Sequence, residues 1–333
     1  MKFLVLGGGP AGLNAALQAQ ELGAEVTLIE RKRIGGTSLN EGPAPVRTLA
    51  RAARLLRDVQ SWSTFGLRGP RPQLDLAATL ANASRVADYA HNIMHINDRV
   101  RSIGIELVED AGPARFLDPH TVVLSDGRNW RADRIVVAVG GHPGRLSIPG
   151  AELALTYTDI RTLAALPKRV AIIGGADTGC QLGSILADFG CEVLLIENAP
   201  RLNPRADQDI STGLAAAFAR RGIEIATNAD VQRLAQANGG IEVHYNRDEG
   251  EEARLVDAVF FAVGWPASVE GLDLGAAGVV TERGFIRVND YLQSNVPHIF
   301  AAGDANGRSM LVPSARHEGR LAAENALMAP DAS

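Results

Sequence analysis

The chain opens on a strand, glycine turn, helix and strand, FLVLGGGPAGLNAALQAQELGAEVTLIE, and repeats that unit 167 residues later, counted from Gly7 to Gly174, as RVAIIGGADTGCQLGSILADFGCEVLLIE. The lengths match as well: Gly12 to Glu30 is 18 residues, and Gly179 to Glu197 is also 18. Gly7, Gly9 and Gly12 have GxGxxG spacing. They permit, in turn, a tight turn, close approach of the backbone to a pyrophosphate, and close packing of helix on strand. The phosphate charge then meets the unpaired N–H groups of the helix N-terminus. Glu30 closes the second strand, where its carboxylate can accept from ribose hydroxyls. In the repeat these places are taken by Gly174, Ala176, Gly179 and Glu197. Two dinucleotides are implied, unless Ala176 marks a Rossmann unit whose ligand site has decayed.

A length of 333 residues suits two domains, and 46% hydrophobic with 21% charged residues is the composition of a folded globular chain. Acidic residues outnumber basic ones, 38 to 33, so nucleic acid and anionic membrane are not expected partners. The two cysteines, Cys180 and Cys191, fit neither a disulfide framework nor a zinc site. The first apolar run is cut by glycines at 7 to 9, and no segment is long enough to span a bilayer. A reducing, cytoplasmic setting is expected.

Between the units, LARAARLLRDVQSW reads as an amphipathic helix, followed by a proline-rich turn at 70 to 72 and a helical stretch from about Leu74 to Ile103. TVVL, RIVVAVG and AVFFAVGW read as strands, HIFAAGDANG as the end of a strand in a glycine-aspartate turn, and SARHEGRLAAENALM as the helix that follows. Strands alternating with helices argue for parallel sheets covered on both faces. His91 and His95 have the spacing of two metal ligands on a helix. With no third ligand nearby, a packed or solvated face is the expectation and no metal is assigned.

The ordered motifs LGGGPAG, GGTSLNEGPAP, VVAVGGHP, VAIIGGADTG, FFAVGWP and VPHIFAAGDANG resemble those of the pyridine nucleotide-disulfide oxidoreductases, the group of lipoamide dehydrogenase, glutathione reductase and mercuric reductase. The resemblance covers essentially the whole chain. It implies an α/β fold of two Rossmann-like dinucleotide-binding domains with the NAD domain inserted in the FAD domain: FAD by 1–148 and 267–333, NAD(P) by 149–266. It implies FAD contacts from Gly7, Gly9, Pro10, Ala11, Gly12, Glu30, Arg31, Gly36, Thr37, Gly112, Ala114, Gly140, Asp304 and Ala315. NAD contacts are implied from Gly174, Ala176, Gly179, Glu197 and Gly264. Asp304 would bind the ribityl and phosphate region, and Ala315 would start the helix facing the pyrimidine end of the flavin.

The chain departs from the family pattern at chemically important places. Ser38 and Pro43 stand where the family has its redox cysteines, so the thiolate relay to disulfides or metal ions is excluded. The chain stops about 30 residues after Asp304, short of the family's dimerisation domain and its His/Glu pair, which leaves the oligomeric state open. Asp177, Gln181 and Arg47 take the places of an aromatic or apolar residue, a glutamate and a lysine around the nicotinamide. They are the candidate catalytic residues, or else drift in a disused site. Glu197 favours NADH over NADPH by repelling a 2′-phosphate, while Arg201 and Arg205 either reach such a phosphate or are simply solvated. His317 either reaches the flavin ring or is exposed, Cys180 is expected to be a small packed residue, and Trp265 replaces a common arginine with no role assigned.

Two functions follow from the resemblance. The first is an FAD-dependent NADH:acceptor oxidoreductase without a thiol relay, passing electrons directly to a quinone, small organic substrate, oxygen or redox protein. The alternative is an FAD-binding scaffold, sensor or partner subunit without NAD(P)H turnover.

Overall fold

The computed structural model describes residues 1–247 and 250–328. Strands in chain order are β1 (Lys2–Leu6), β2 (Glu25–Ile29), β3 (Glu106–Val108), β4 (Ala114–Asp118), β5 (Thr121–Leu124), β6 (Asn129–Arg131), β7 (Arg134–Val137), β8 (Leu155–Thr156), β9 (Arg169–Ile173), β10 (Glu192–Ile196), β11 (Glu224–Ala226), β12 (Ala229–Ala237), β13 (Gly240–Arg247), β14 (Gly250–Val256), β15 (Ala258–Phe261), β16 (Thr281–Glu282), β17 (Phe285–Ile286) and β18 (Ile299–Ala301). The α-helices are α1 (Pro10–Glu21), α2 (Gly36–Asn40), α3 (Pro43–Asp58), α4 (Leu76–Met94), α5 (Ile96–Ser102), α6 (Asp177–Asp188), α7 (Gln208–Ala219) and α8 (Val312–Met328).

The chain forms two compact units. The first contains Met1–Ala44, Ala87–His142 and Trp265–Ser333; the second contains Pro45–Val86 and Pro143–Gly264. Beyond residue 87 the units change over at 142/143 and 264/265. Residues 45–86, assigned by sequence to the first domain, group with the second unit. A part-buried ion pair helps to account for this: Arg57 of α3 reaches Asp188 of α6 at 3.2 Å, and Arg221 holds the other oxygen at 2.7 Å.

In the first unit a parallel sheet runs β18-β7-β1-β2-β3. In the second a parallel sheet runs β11-β10-β9-β15-β8. Strand order reverses at β1 and at β9, and the crevice beyond the strand ends at such a switch point is where nucleotides bind. The glycine turns leave from these two strand ends. The strands are buried on both faces: Val5, Leu28, Val136 and Phe300 on one face of the first sheet and Leu4, Ile29, Ile135 and Ile299 on the other, and in the second sheet Ile172, Leu195 and Phe260 on one face and Ala171, Leu194, Val259 and Phe261 on the other.

Helices α1 and α8 pack through small residues. Ala11, Ala15, Ala16 and Ala19 of α1 are buried, as are Gly319, Ala322, Ala323 and Ala326 of α8. A methyl group on Gly319 would collide with the Ala11 carbonyl oxygen. The return segment therefore docks on the first glycine motif at backbone distance, and Arg134 fastens it by donating from Nε to the Ala326 carbonyl at 2.8 Å.

Two local features differ from the sequence reading. The helical stretch from 74 to 103 is broken at His95, whose φ of 42° separates α4 from α5. The antiparallel sheet β12-β13-β14 lies where no strand is assigned by sequence. A register shift between Val231 and Arg233 interrupts the alternation of β12, while β13 and β14 pair in continuous register.

Candidate cofactor and redox sites

Gly7 leaves β1 at φ +101°, and a side chain there would collide with the Ala138 carbonyl oxygen. A methyl on Gly12 would strike the Gly7 carbonyl oxygen, so α1 can start at Pro10 only because both residues are glycine. Gly9 differs. Its backbone is extended and its missing methyl would meet only Gly36 Cα, at 3.6 Å. Gly36, at φ +65°, would in turn place a methyl 2.7 Å from Gly9 Cα and 3.3 Å from Pro10 Cδ. Two glycine backbones thus face each other across the N-terminus of α1, where no side-chain cap occupies the first N–H groups. That cradle fits a pyrophosphate.

Glu30 is fixed from both sides: Gly8 N–H donates to Oε2 at 2.6 Å and Lys32 N–H to Oε1 at 2.8 Å. A carboxylate has about four lone-pair sites, so each oxygen keeps one for a ribose hydroxyl. The turn at 110–112 is zipped onto 30–32, with Ala111 N–H donating to Glu30 O and Gly112 N–H to Arg31 O, both at 3.0 Å. This brings Gly112, and Ala114 at the start of β4, beside the Glu30 strand end; the Arg31 side chain is exposed.

The loop at 35–42 is tied to the cradle by Gly35 N–H donating to Gly8 O at 2.8 Å. Asn40 Nδ2 donates to the carbonyls of Arg33 and Ile34 at 3.0 and 3.2 Å, and buried His91 meets Asn40 Oδ1 at 2.7 Å through Nε2. Since the Asn40 amide nitrogen is spent on carbonyls, its oxygen accepts and His91 donates. Burial, aided by the charge of Arg33, holds the His91 pKa below its ordinary value. His91 is therefore a brace for this loop and His95 is exposed, and no metal-binding cluster occurs among the described residues. Ser38 donates weakly to Gly35 O at 3.4 Å, and Pro43 opens α3, where its missing N–H costs nothing.

Asp304 lies in the turn Gly303–Asn306 between β18 and α8. Its Oδ2 accepts from the indole Nε1–H of Trp265 at 2.9 Å. Burial pushes its pKa up, the neighbouring charge of Glu318 adds to this, and the indole bond opposes it. Ala315 is buried in the first turns of α8 while His317 is exposed, as the helical period allows. Gly140, at φ +70°, accepts from Ser268 N–H at 2.9 Å.

The second unit repeats the cradle. Gly174 has φ +105° and would collide with Ala262 O, and Gly179 with Gly174 O. Glu197 accepts from Gly175 N–H at 2.6 Å and Ala199 N–H at 2.8 Å, the same geometry as Glu30. Gly264, at φ +119°, accepts from Gly144 N–H at 3.0 Å. Ala176 caps α6 with φ −82° and ψ −166°, nearly the conformation of Gly9 at −76° and −173°. Alanine therefore suits the backbone here, and the methyl costs only ligand space.

Asp177, the first residue of α6, is exposed and accepts from Asn203 Nδ2 at 2.8 Å. Gln181 is half-buried on α6 and Arg47 exposed on α3; no hydrogen bond joins them among the described residues. Arg47, with Arg161, partly offsets the burial that pushes Tyr157 up to about 12. Arg201 is half-buried and bonded within its own loop. It donates to Ala206 O, Ser211 Oγ and Pro204 O at 2.8, 3.0 and 2.8 Å, bolting its own loop. Arg205 is exposed. Both thiols are free and buried. Cys180 donates to Gly175 O at 3.2 Å, and burial raises both thiol pKa values to about 12.

Two switch-point glycine cradles, each with a terminal acid, define a protein of the class that holds two dinucleotides. Residues 1–319 match the family described as pyridine nucleotide-disulphide oxidoreductase, and the chain belongs to it. It is 32% identical over 328 residues to a dihydrolipoyl dehydrogenase of Zymomonas mobilis subsp. mobilis, covering 97% of this chain and 70% of the relative. To a mercuric reductase of Bacillus cereus it is 31% identical over 328 residues, covering 98% and 51%. Among solved structures it is similar to LpdA from Mycobacterium tuberculosis, with a TM-score of 0.86 at 25% identity over 98% of this chain and 72% of that one. The family consists of FAD-dependent pyridine nucleotide oxidoreductases and uses FAD and NAD(P)H. No described helix is long and apolar enough to cross a membrane.

Proposed function

We propose that this protein is an NADH:acceptor oxidoreductase that passes electrons from bound FAD straight to a non-disulfide acceptor. The single observation that carries the reading is the thiol inventory: Ser38 and Pro43 stand at the family's redox positions, and the two cysteines present are buried with thiol pKa values near 12. A thiol held neutral is neither nucleophile nor metal ligand. FAD, when bound, supplies hydride acceptance from nicotinamide and electron delivery to the acceptor.

The chain's own residues bind and orient. Gly7, Gly9, Pro10, Ala11, Gly12, Gly36 and Thr37 would take the FAD pyrophosphate, Glu30 the adenosine ribose, Gly112 and Ala114 the adenine, and Asp304 a ribityl hydroxyl. Arg31, Gly140 and Ala315 would complete that site. Gly174, Ala176, Gly179 and Gly264 would take the nicotinamide dinucleotide, and Glu197 its ribose, favouring NADH. Arg47 and Gln181 would leave net positive charge near the redox centre, and Asp177 would oppose it or supply a proton. The acceptor is a small molecule or redox protein, and a cytoplasmic setting suits it.

A second reading, a flavoprotein without NAD(P)H turnover, is favoured by the carboxylate of Asp177 on the first turn of α6, whose negative charge would repel a pyrophosphate seated on the free N–H groups there. Steady-state NADH oxidation with a panel of quinones, artificial dyes and disulfides separates the two. Quinone or dye reduction without disulfide reduction supports the first reading. Disulfide turnover overturns it, and inertness to every acceptor favours the second.

A further inference from the structure

Trp265 opens the third segment of the first unit and is unusually well anchored. Residues 266–268 are laced to 140–142 by an antiparallel bridge between Gly141 and Ala267 and by His142 N–H donating to Pro266 O at 3.0 Å. The edge of the indole lies directly on Gly141, where a methyl group would collide with Cδ1 and come within 2.8 Å of Pro266 O. Glycine at 141 and tryptophan at 265 thus specify each other. The indole N–H then points at one atom, Asp304 Oδ2, at 2.9 Å.

Asp304 has few other supports. Glu318 from α8 is the charged group that faces it, and it repels. Glu318 is itself held by Gly303 N–H and Asn306 Nδ2, each donating to Oε2 at 2.8 Å. Among the described residues Trp265 is the only side-chain donor to Asp304. A half-buried carboxylate beside a second carboxylate would otherwise rotate or take up a proton.

We propose that Trp265 is a positioning residue for Asp304, holding Oδ2 by the indole N–H so that Oδ1 is presented, ionised, to a hydroxyl of the flavin side chain. This rests on the FAD reading of Asp304. The indole makes no claim on the ligand itself and acts through the carboxylate. Because ionised Asp304 is the accepting form, its contribution to FAD affinity is present above its pKa and lost as pH falls through it. Removing the indole donor raises that pKa, so the loss moves to higher pH.

The test is FAD binding to the apoprotein, followed by quenching of flavin fluorescence across pH, for the wild type, W265F, W265H, D304N and the double variant W265F/D304N. W265F is expected to weaken FAD binding about tenfold, the loss of one hydrogen bond to a charged acceptor. Its affinity should also fall at a higher pH than that of the wild type. W265H, which keeps a ring N–H, should recover part of the loss, and W265F should add nothing in the D304N background. W265F binding within twofold of wild type, or losses that add in the double variant, would overturn the positioning role. If D304N binds FAD as tightly as the wild type, or the wild type binds none, the FAD reading of Asp304 fails instead. Thermal melting of each apoprotein keeps a folding defect from passing as a binding loss.

Discussion

Gly9 has φ −76° and ψ −173°, a conformation alanine adopts without strain, and a methyl group there would lie 3.6 Å from Gly36 Cα, an ordinary contact. Gly9→Ala should therefore leave the fold nearly unchanged. The weaker helix-capping preference of alanine, about 1 kcal/mol, is offset by about 0.4–1 kcal/mol from reduced freedom of the unfolded chain. The ligand is affected differently. The methyl projects between Gly9 and Gly36, pushing a pyrophosphate off the first N–H groups of α1. Losing one or two charge-assisted bonds at about 1.5–3 kcal/mol each lowers FAD affinity by roughly ten- to a hundredfold or more. The second unit carries the reciprocal experiment, because Ala176 has the same conformation with the methyl already in place. Ala176→Gly should tighten NADH binding by about threefold or more. Flavin reconstitution, NADH titration and thermal melts of the apoproteins read all of this. A Gly9→Ala protein that melts far below wild type, or keeps its FAD affinity, would refute the reasoning.

Asp177→Asn should tighten NADH binding, and the gain should shrink with added salt, because the exposed carboxylate at the N-terminus of α6 repels the dinucleotide phosphates through screened charge. Isothermal titration at two ionic strengths checks it. Arg221→Ala should destabilise the second unit by about 3 kcal/mol, leaving the buried Asp188 with Arg57 alone at 3.2 Å; urea unfolding measures this. Cys180 and Cys191, with thiol pKa values raised to about 12, should resist a thiol reagent in the native state up to about pH 9 and react on unfolding.

The two strand–turn–helix–strand units could be read from the sequence because their glycines answer local steric needs: Gly7 and Gly12 meet backbone oxygens of neighbouring residues and of β7's end, at fixed spacing. The terminal acids were equally legible, and Glu30 and Glu197 have matching partners. Side chains that meet across long separations were not. Trp265 and Asp304 are 39 residues apart, and Arg57 and Asp188 are 131 apart. No periodicity signals either pair, so both the role of Trp265 and the grouping of α3 with the second unit stayed hidden. The helix break at His95 left no mark because a single residue at positive φ changes neither composition nor the apolar spacing on either side, and the bulge between Val231 and Arg233 breaks the alternation of β12. Arg201 looked like a surface cation because nothing local shows that three acceptors of its own loop surround it.

The most direct test of the central claim is an electron count: anaerobic titration of the FAD-loaded protein with NADH, followed by flavin absorbance. A flavin accepts one hydride equivalent, and a redox disulfide would accept a second before or with it. With Ser38 and Pro43 at the loop and both cysteines buried, bleaching should be complete at one NADH per flavin. An end point near two equivalents would reveal a thiol relay and contradict the account, as would a flavin that dithionite bleaches and neither NADH nor NADPH does.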